Sequence, residues 1–270
     1  MKIDLHTHTK FSDGIYGVEE LLSHADQLGI GAIAITDHDT VKAFEHLDEI
    51  SHKFRVKVIK GIELTTVYKN EVIHLICLFK NNVVPQKIEH YCSEQRNLRN
   101  IRATEILTKA SRDFGWKYDL DILHFGTDVV NKHVVFKHLA DMNKLSYETI
   151  KENLSTGSYT QLKKLSFEDG VELAKSTESI CILAHPCLIR DQSILEDLLK
   201  YNIDGMECRY ASQKNDVIYY TDIAHKNELF ISAGSDFHGD HKHGYLGECF
   251  LNYDEFQRIS QALNWNLFDL

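Results

Sequence analysis

Short apolar segments recur along the chain, and most of them end in polar or ionisable residues. Their length and their content of Ile and Val predict buried β-strands, although periodicity alone leaves buried helices open. The seven segments are Lys2–Leu5, Ala32–Thr36, Val56–Ile62, Val72–Phe79, Ile180–Ala184, Asp204–Cys208 and Leu229–Ala233.

Amphipathic helical patterns lie between several of these segments. Val18–Leu28 has Glu19 and Glu20 in its first turn and Gly29 directly after it, which is typical of a helix that ends at a glycine. Strands that alternate with helices predict parallel βα units, and seven such strands predict a barrel-like α/β fold with helices outside. Similar helical patterns cover Thr40–Phe54, Ser166–Ser176, Ser193–Tyr201, Gln213–Lys226 and Asp254–Leu263.

One stretch breaks the alternation of strands and helices. It begins with a long polar helix pattern, Pro85–Phe114, and continues with shorter ones at Val134–Lys144 and Tyr147–Leu154. The sequence therefore predicts a barrel in two parts, residues 1–84 and 166–270, separated by a helical insertion, residues 85–165, that forms a lid.

Composition narrows the class of protein. The 270 residues are 43% hydrophobic, which is enough for a substantial core. With 30 Lys and Arg against 40 Asp and Glu the net charge is −10, which argues against a protein that binds duplex nucleic acid through a basic surface. No apolar run approaches the roughly 20 residues of a membrane helix. Six cysteines without a CxxC spacing are typical of reduced thiols, so we expect a cytoplasmic enzyme.

Imidazoles and carboxylates follow most of the predicted strands. In a parallel α/β barrel the carboxyl ends of the strands meet on one face, and that face carries the chemistry. Residues that are two positions apart on a strand point to the same side, so both rings of a His-x-His pair can reach one ion. The residues in these positions are His6, His8, Asp13, Asp37, His38, Asp39, Glu63, His185, Asp236 and His238. His74 lies within the fourth predicted strand.

A single histidine on an apolar strand, such as His74, is more often a core side chain than a ligand. Five separate strand ends that each carry a ligand type are difficult to explain in that way. Zn, Mn and Fe all accept neutral imidazoles and carboxylates. The sequence therefore predicts a divalent metal site at this face of the barrel.

The motifs HTHTKFSDG, TDHD, GIE, AHP and GSDFHG, in this order and spacing, resemble those of the PHP (polymerase and histidinol phosphatase) family. The resemblance covers Met1–Phe79 and Ser166–Gly247 and is strongest to small stand-alone phosphoesterases that act on nucleotides or RNA 5′ ends. It implies a distorted, TIM-like (β/α)7 barrel and two to three divalent ions, Mn, Fe or Zn.

The resemblance also implies three sets of metal ligands. The first ion would be held by His6, His8, Glu63 and Asp236. Glu63 would bridge to a second ion completed by His74 and His185, and the third ion would be held by Asp13, His38 and His238. All nine positions carry residues that can bind a metal.

Basic residues are candidates for contacts to the substrate phosphate. Within the insertion, GTDVVNKHVVFKHLADM resembles a degenerate form of the Arg-Pro-His segment of this subgroup, with His133 at the histidine and Asn131-Lys132 in place of Arg-Pro. We expect His133 to bind the phosphate and take part in catalysis. Arg190, Arg209 and Lys242 are further candidates, each with the alternative of being a surface charge.

Asp37 stands next to the implied ligand His38 and has two possible roles. It could donate a proton to the leaving group as the general acid. It could equally orient a ligand histidine.

These features together predict a metal-dependent phosphoesterase that uses water activated by its metal ions. The expected substrate is a nucleotide, a nucleoside bisphosphate or a 5′-phosphorylated oligonucleotide, without stable binding to duplex nucleic acid or to membranes. A phosphatase of the histidinol-phosphate type is the alternative enzyme. A non-catalytic metal-binding module, as occurs within bacterial replicative polymerases, is the alternative outside enzymes. The oligomeric state is left open.

Overall fold

A computed structural model describes residues 1–123, 130–212, 214–240 and 243–265. The chain divides into two compact units, one formed by Met1–Glu89 and Lys164–Leu270 and the other by His90–Lys163. The strands of the described residues are β1 (Lys2–Thr7), β2 (Ile30–Ile35), β3 (Lys57–Tyr68), β4 (Glu71–Leu78), β5 (Leu165–Ser166), β6 (Ile180–Leu183), β7 (Gly205–Tyr210) and β8 (Phe230–Gly234). The helices are α1 (Val18–Gln27), α2 (Leu47–Ser51), α3 (Gln86–Phe114), α4 (Lys132–Asn143), α5 (Tyr147–Leu154), α6 (Phe167–Ser176), α7 (Leu195–Leu198), α8 (Val217–Lys226) and α9 (Tyr253–Leu263). In this part of the chain, no helix is both long and apolar enough to cross a membrane.

The first unit is a nearly closed barrel whose strand order is β1-β2-β3-β4-β6-β7-β8. The end of β8 returns beside β1, because Phe237 forms a parallel bridge with Thr7 and its carbonyl accepts a hydrogen bond from the backbone N–H of His8 at 2.9 Å. This confirms the α/β barrel that the alternating segments predict. The carboxyl ends of β1, β2, β6, β7 and β8 consequently share one face.

The expectation of uniformly parallel strands is wrong for β4. This strand runs antiparallel to both of its neighbours, β3 and β6. Only Lys69 and Asn70 join β3 to β4, and both residues have positive φ, 45° and 66°. A two-residue loop of this kind joins only antiparallel strands, whereas a parallel crossover needs a dozen residues or more. The short strand β5, which pairs with β3, was not predicted.

The helices pack apolar faces on the outside of the sheet. In α1 the side chains of Leu21, Leu22 and Ala25 are fully buried, and the helix ends just before Gly29, whose φ is 67°, as the sequence predicts. The helix expected over Thr40–Phe54 is interrupted at His46, which leaves a 3-10 turn and the short α2. The pattern at Ser193–Tyr201 likewise forms a 3-10 turn followed by the four-residue α7.

The second unit is helical and has its own apolar core. Side chains of α3, α4 and α5, among them Ile106, Leu139 and Ile150, are fully buried in this core. The shorter helices begin at the residues that capping chemistry favours: the side chain of Asn131 accepts a hydrogen bond from the N–H of Val134, and Ser146 caps α5 in the same way. The unit therefore has the features of a separately packed helical subdomain.

Candidate metal centre

Nine ionisable side chains of the first unit meet at the carboxyl end of the barrel. Seven of them stand at or beyond the end of a strand, whereas Glu63 lies within the long strand β3 and His74 within the antiparallel β4. They are the nine residues that the family resemblance implies as metal ligands: His6, His8, Asp13, His38, Glu63, His74, His185, Asp236 and His238.

Glu63 lies at the centre of this set. Its Oε2 atom is 3.1 Å from Nε2 of both His6 and His8. Its other oxygen, Oε1, is 3.0 Å from Nδ1 of His74 and 3.0 Å from Nε2 of His185. The two oxygens of one fully buried carboxylate therefore serve two different pairs of imidazoles.

Asp236 completes the group around His6 and His8. Its Oδ1 atom lies 3.2 Å from Nε2 of His6 and 3.0 Å from Nε2 of His8. Two imidazoles and two carboxylates thus direct one nitrogen or oxygen each to a common point, which is the donor set that Zn, Mn and Fe accept.

Asp13 gathers a further group on the open side of the site. Its Oδ1 atom is 3.1 Å from Nε2 of His238, and its Oδ2 atom is 3.7 Å from Nε2 of His38. The other nitrogen of His38, Nδ1, is 3.2 Å from Glu63 Oε2. The His38 ring therefore stands between the Asp13 group and the Glu63 group.

Unpaired buried atoms show that these side chains fit metal ions. Within the described parts of the chain, four fully buried atoms of the set make no hydrogen bond: His6 Nε2, His8 Nε2, His38 Nδ1 and Glu63 Oε2. A buried polar atom without a partner costs roughly 1–3 kcal/mol, and native structures contain few of them. Four such atoms directed at one another are explained if cations satisfy them.

Interactions between histidines and carboxylates shift the pKa values of the metal-set side chains. Burial disfavours the protonated form of His8, but its interactions with the carboxylates of Asp236 and Glu63 outweigh this effect and raise its pKa to about 10. Burial likewise opposes the charged form of Glu63, whereas the surrounding histidines, His38 and His6 first, hold its pKa well below the usual range. At neutral pH His8 is therefore protonated and Glu63 is ionised.

Binding of metal is expected to release protons, because a ligand imidazole must be neutral. His8 is protonated below pH 10 in the metal-free protein, so affinity for metal should rise as the pH increases from 6 towards 9. The stabilisation that His8 gains from its carboxylate partners has the opposite dependence and is lost as the pH rises through 10. Calorimetric titration with Mn²⁺ in buffers of different ionisation enthalpy measures the released protons. A binding heat that does not depend on the buffer would contradict this account.

The backbone is strained at two of the nine residues. His185 has φ of 26° and Asp236 has φ of 52°, in the region that residues with a Cβ rarely adopt. Such conformations persist where the surrounding structure enforces them, and they are common at functional sites. Here each one turns a side chain back over the mouth of the barrel directly after its strand.

Glu207 is a part of the site that the sequence interpretation missed. This fully buried residue of β7 lies with Oε1 3.1 Å from His6 Nδ1, and its Oε2 accepts a hydrogen bond from the backbone N–H of His185 at 2.7 Å. The contact to Nδ1 leaves Nε2 of His6 as the nitrogen that faces the metal set. The available signal was an acid in the interior of the predicted strand Asp204–Cys208.

Replacing Glu207 by alanine is expected to lower metal affinity or kcat/KM by about 10- to 100-fold, the usual effect of removing a carboxylate that orients a ligand histidine. The substitution removes the partner of His6 Nδ1 and of the backbone N–H of His185 while leaving all nine metal-set residues in place. Metal titration and steady-state kinetics measure the effect, with the exposed Glu172→Ala on α6 as the matched control. Equal values for the two variants would show that Glu207 has no orienting role.

Tyr210, at the end of β7, is a second residue that the sequence did not reveal. Its hydroxyl donates a hydrogen bond to Asp236 Oδ2 at 2.9 Å, which leaves Oδ1 for His6 and His8. Burial raises the pKa of this hydroxyl, and the charge of Asp236 raises it further. Tyr210 therefore remains a hydrogen-bond donor and fixes the orientation of that carboxylate.

Asp37 lies beneath the mouth and is almost fully buried. Its Oδ1 accepts hydrogen bonds from the backbone N–H of Thr9 at 2.7 Å and from Ser12 Oγ at 2.5 Å, and its Oδ2 accepts one from Thr9 Oγ1 at 2.6 Å. These bonds fix the loop that carries His8 and Asp13. They favour the positioning role over proton donation.

Arg209 is engaged in a structural ion pair. Its guanidinium pairs with both carboxylate oxygens of Glu255 on α9, at 2.5 and 3.0 Å, and also donates to the carbonyl of Phe250. A substrate phosphate would have to displace these contacts. The pairing favours the alternative for Arg209, a surface charge, which here attaches α9 to the barrel; its role as a substrate contact stays a prediction.

The other basic candidates are placed as follows. Arg190 is exposed in the segment after β6, and its backbone N–H donates to Glu71 Oε1. His133 belongs to the second unit, is exposed, and has Nδ1 3.0 Å from the hydroxyl of Tyr147. Lys242 lies outside the described residues. Arg190 and His133 remain predictions.

Comparisons with known proteins place the chain in one family. The family model described as the PHP domain matches residues 4–232. The 5′-3′ exoribonuclease Rnm of Escherichia coli is 29% identical over 250 residues, which cover 87% of this chain and 84% of that protein. A phosphoribosyl 1,2-cyclic phosphate 1,2-diphosphodiesterase of Eggerthella lenta is 23% identical, with 87% and 94% of the two chains covered.

Solved structures share the fold. A protein of Bifidobacterium adolescentis assigned to the metal-dependent phosphoesterases superposes with a TM-score of 0.76 at 22% identity and covers 96% of each chain. An amidohydrolase of Chromobacterium violaceum, solved with bound sulfate and no metal, superposes with a TM-score of 0.71 at 19% identity and covers 97% of each chain. At these identities the likeness concerns the barrel and its helical subdomain.

Proposed function

The chain belongs to the PHP domain family, and we propose that it is a metal-dependent phosphoesterase that hydrolyses a nucleotide, a nucleoside bisphosphate or a 5′-phosphorylated oligonucleotide. The observation that carries this proposal is the convergence of imidazoles on both oxygens of the buried Glu63. A carboxylate in that position could offer one oxygen to each of two cations, as in sites that use two metal ions.

The nine residues would hold two to three divalent ions in the sets given above. When bound, such ions polarise phosphoryl oxygens and acidify a water molecule that attacks phosphorus. Mn, Fe and Zn all suit these ligands, so availability rather than the protein selects among them.

Neighbouring residues of the chain hold the metal-set side chains in their orientations. Glu207 and Tyr210 fix His6 and Asp236 in the position that leaves one acceptor atom of each free for a cation. Asp37 holds the loop after β1 through Thr9 and Ser12. Because these supports are buried, the geometry is set before the substrate binds, which is the condition for efficient electrostatic catalysis.

The substrate proposal draws on the relatives. One relative is named as a 5′-3′ exoribonuclease and another as a cyclic phosphate diphosphodiesterase, and both names denote phosphoester substrates that contain ribose. Lys132 here stands beside His133, where the resemblance has an Arg-Pro pair, and lysine offers phosphate a point charge instead of a bidentate grip. We therefore propose a ribonucleotide-type substrate whose phosphate is bound with less geometric selectivity than an arginine would impose.

The six free cysteines, five of them buried, support a cytoplasmic location.

A substrate panel tests this proposal. Phosphate release should be measured with Mn²⁺ on adenosine 5′-phosphate, adenosine 3′,5′-bisphosphate, a short 5′-phosphorylated RNA and histidinol phosphate. We expect at least one of the first three to be hydrolysed with a kcat/KM at least about tenfold above that of histidinol phosphate. A preference for histidinol phosphate would favour the alternative phosphatase, and the absence of hydrolysis of all four would favour a non-catalytic module.

A further inference from the structure

Three imidazole rings form a stack at the mouth of the barrel. The rings of His8 and His238 are stacked with centroids 4.1 Å apart and planes inclined by 19°. The ring of His243 stacks on His238 with centroids 3.9 Å apart and planes inclined by 24°. His243 is the outer ring, and it has no part in the nine-residue metal set.

Asp240, the close packing of Gly244 and the ring of His238 together fix the position of His243. Oδ1 of Asp240 accepts a hydrogen bond from the backbone N–H of His243 at 3.0 Å and lies 2.9 Å from its Nδ1. The next residue, Gly244, is pressed against the barrel, since a Cβ there would lie 2.4 Å from Ala211 Cβ and 2.6 Å from the carbonyl oxygen of Ser235. Together with the stacking on His238, these contacts orient the ring before any ligand arrives.

The geometry indicates that His243 offers a ring face and not a ligand nitrogen. Nδ1 of His238 lies 2.7 Å from the backbone carbonyl of Asp236 and donates to it, so Nε2 of His238 faces Asp13 and the metal set. An ion bound to that nitrogen would lie near the plane of the His238 ring. The lone pairs of His243 lie in a nearly parallel plane displaced by about one ring thickness, so they do not point to the same ion. The competing arrangement, a ligand group of Asp236, His238 and His243, is an outcome of the test below.

One face of His243 is covered by His238, yet a third of its side chain remains exposed. Tyr245, two residues further along the same loop, is 79% exposed. Planar imidazole and phenol faces at a phosphate-handling site are the groups on which proteins stack nucleobases. We propose that the solvent-side face of His243 stacks on the base of a nucleotide whose phosphate lies at the metal set. This rests on the proposed function and explains why that site would prefer nucleotides to base-free phosphate esters.

The test compares adenosine 5′-phosphate with ribose 5-phosphate, the same ester without its base, on the full-length protein loaded with Mn²⁺. His243→Ala should raise KM for adenosine 5′-phosphate by about tenfold, as expected for the loss of one stacking partner. KM for ribose 5-phosphate and the metal content per chain should stay unchanged. His243→Phe should restore the wild-type KM, because it keeps the ring, and the exposed His225→Ala on α8 is the matched control.

Three outcomes would overturn this inference: an equal change of KM for both substrates, a loss of bound metal in His243→Ala, or an alanine variant with unchanged KM for the nucleotide. If the wild-type protein hydrolyses neither of these two esters, the proposed function is overturned only if adenosine 3′,5′-bisphosphate and 5′-phosphorylated RNA are not hydrolysed either. In that case calorimetric binding of adenosine 5′-phosphate to the Mn²⁺-loaded wild type and to His243→Ala still tests the stack. A tenfold difference in affinity would support it, and equal affinities would refute it.

Discussion

Replacing Glu63 by glutamine is expected to lower phosphoester hydrolysis by at least about 10²–10³-fold, the range seen when one group that stabilises charge in an active site is removed. Glutamine keeps the shape of the side chain but turns one oxygen into an NH2 donor. One of the two pairs of imidazoles, His6 and His8 or His74 and His185, then faces a donor where it had an acceptor.

The Glu63→Gln variant should also bind fewer ions per chain than the wild type, which metal analysis of the purified proteins measures. The exposed Glu172→Gln on α6 is the matched control and should behave as the wild type in both assays. A Glu63→Gln protein with full turnover would refute the bridging role of this carboxylate.

Replacing Gly234 by alanine is expected to damage both the fold and the site. A Cβ at the end of β8 would lie 2.2 Å from His6 Cβ, 2.7 Å from Glu207 Oε1 and 2.8 Å from the backbone nitrogen of His6. All three atoms are fully buried, so β1 or β8 must move. Overpacking of this kind costs about 1–3 kcal/mol in the free energy of unfolding, and here it also displaces a metal-set histidine and the carboxylate that orients it.

Thermal unfolding and metal titration of Gly234→Ala measure the two effects. Gly29→Ala is a suitable control, because a Cβ at Gly29 meets no atom within 4 Å and only the positive φ of 67° makes alanine unfavourable there. We expect Gly29→Ala to lose roughly 1–2 kcal/mol of stability with normal metal binding. Equal metal affinities in the two variants would show that the close approach at Gly234 is not needed for the site.

Much of the barrel and the ligand set follows from the sequence because both depend on local pattern. Buried strands are short apolar segments, and a residue that follows such a segment reaches the carboxyl face whatever the tertiary details are. His6, His185 and Asp236 could be identified in this way. The direction of β4 could not, since periodicity is the same for parallel and antiparallel strands and the only local sign was the two-residue link Lys69-Asn70.

The supporting residues are harder to predict, because each acts on a residue far away in the chain. Glu207 contacts His6 across 201 positions, and Tyr210 contacts Asp236 across 26. Asp37 holds a loop that precedes it by 28 residues. An acid within a strand or a tyrosine at its end has no periodic signal for such a partner, so only the folded barrel reveals the role.

The central claim is that the site hydrolyses phosphate esters only when it holds a cluster of divalent ions. The most direct measurement follows phosphate release from a short 5′-phosphorylated RNA, adenosine 5′-phosphate and adenosine 3′,5′-bisphosphate while chelator-treated protein is titrated with Mn²⁺ and the bound metal is counted. We predict no release from the stripped protein and a rate that reaches its maximum only when about two or more ions are bound per chain. An unchanged rate in protein that holds less than about one ion per chain would contradict the account.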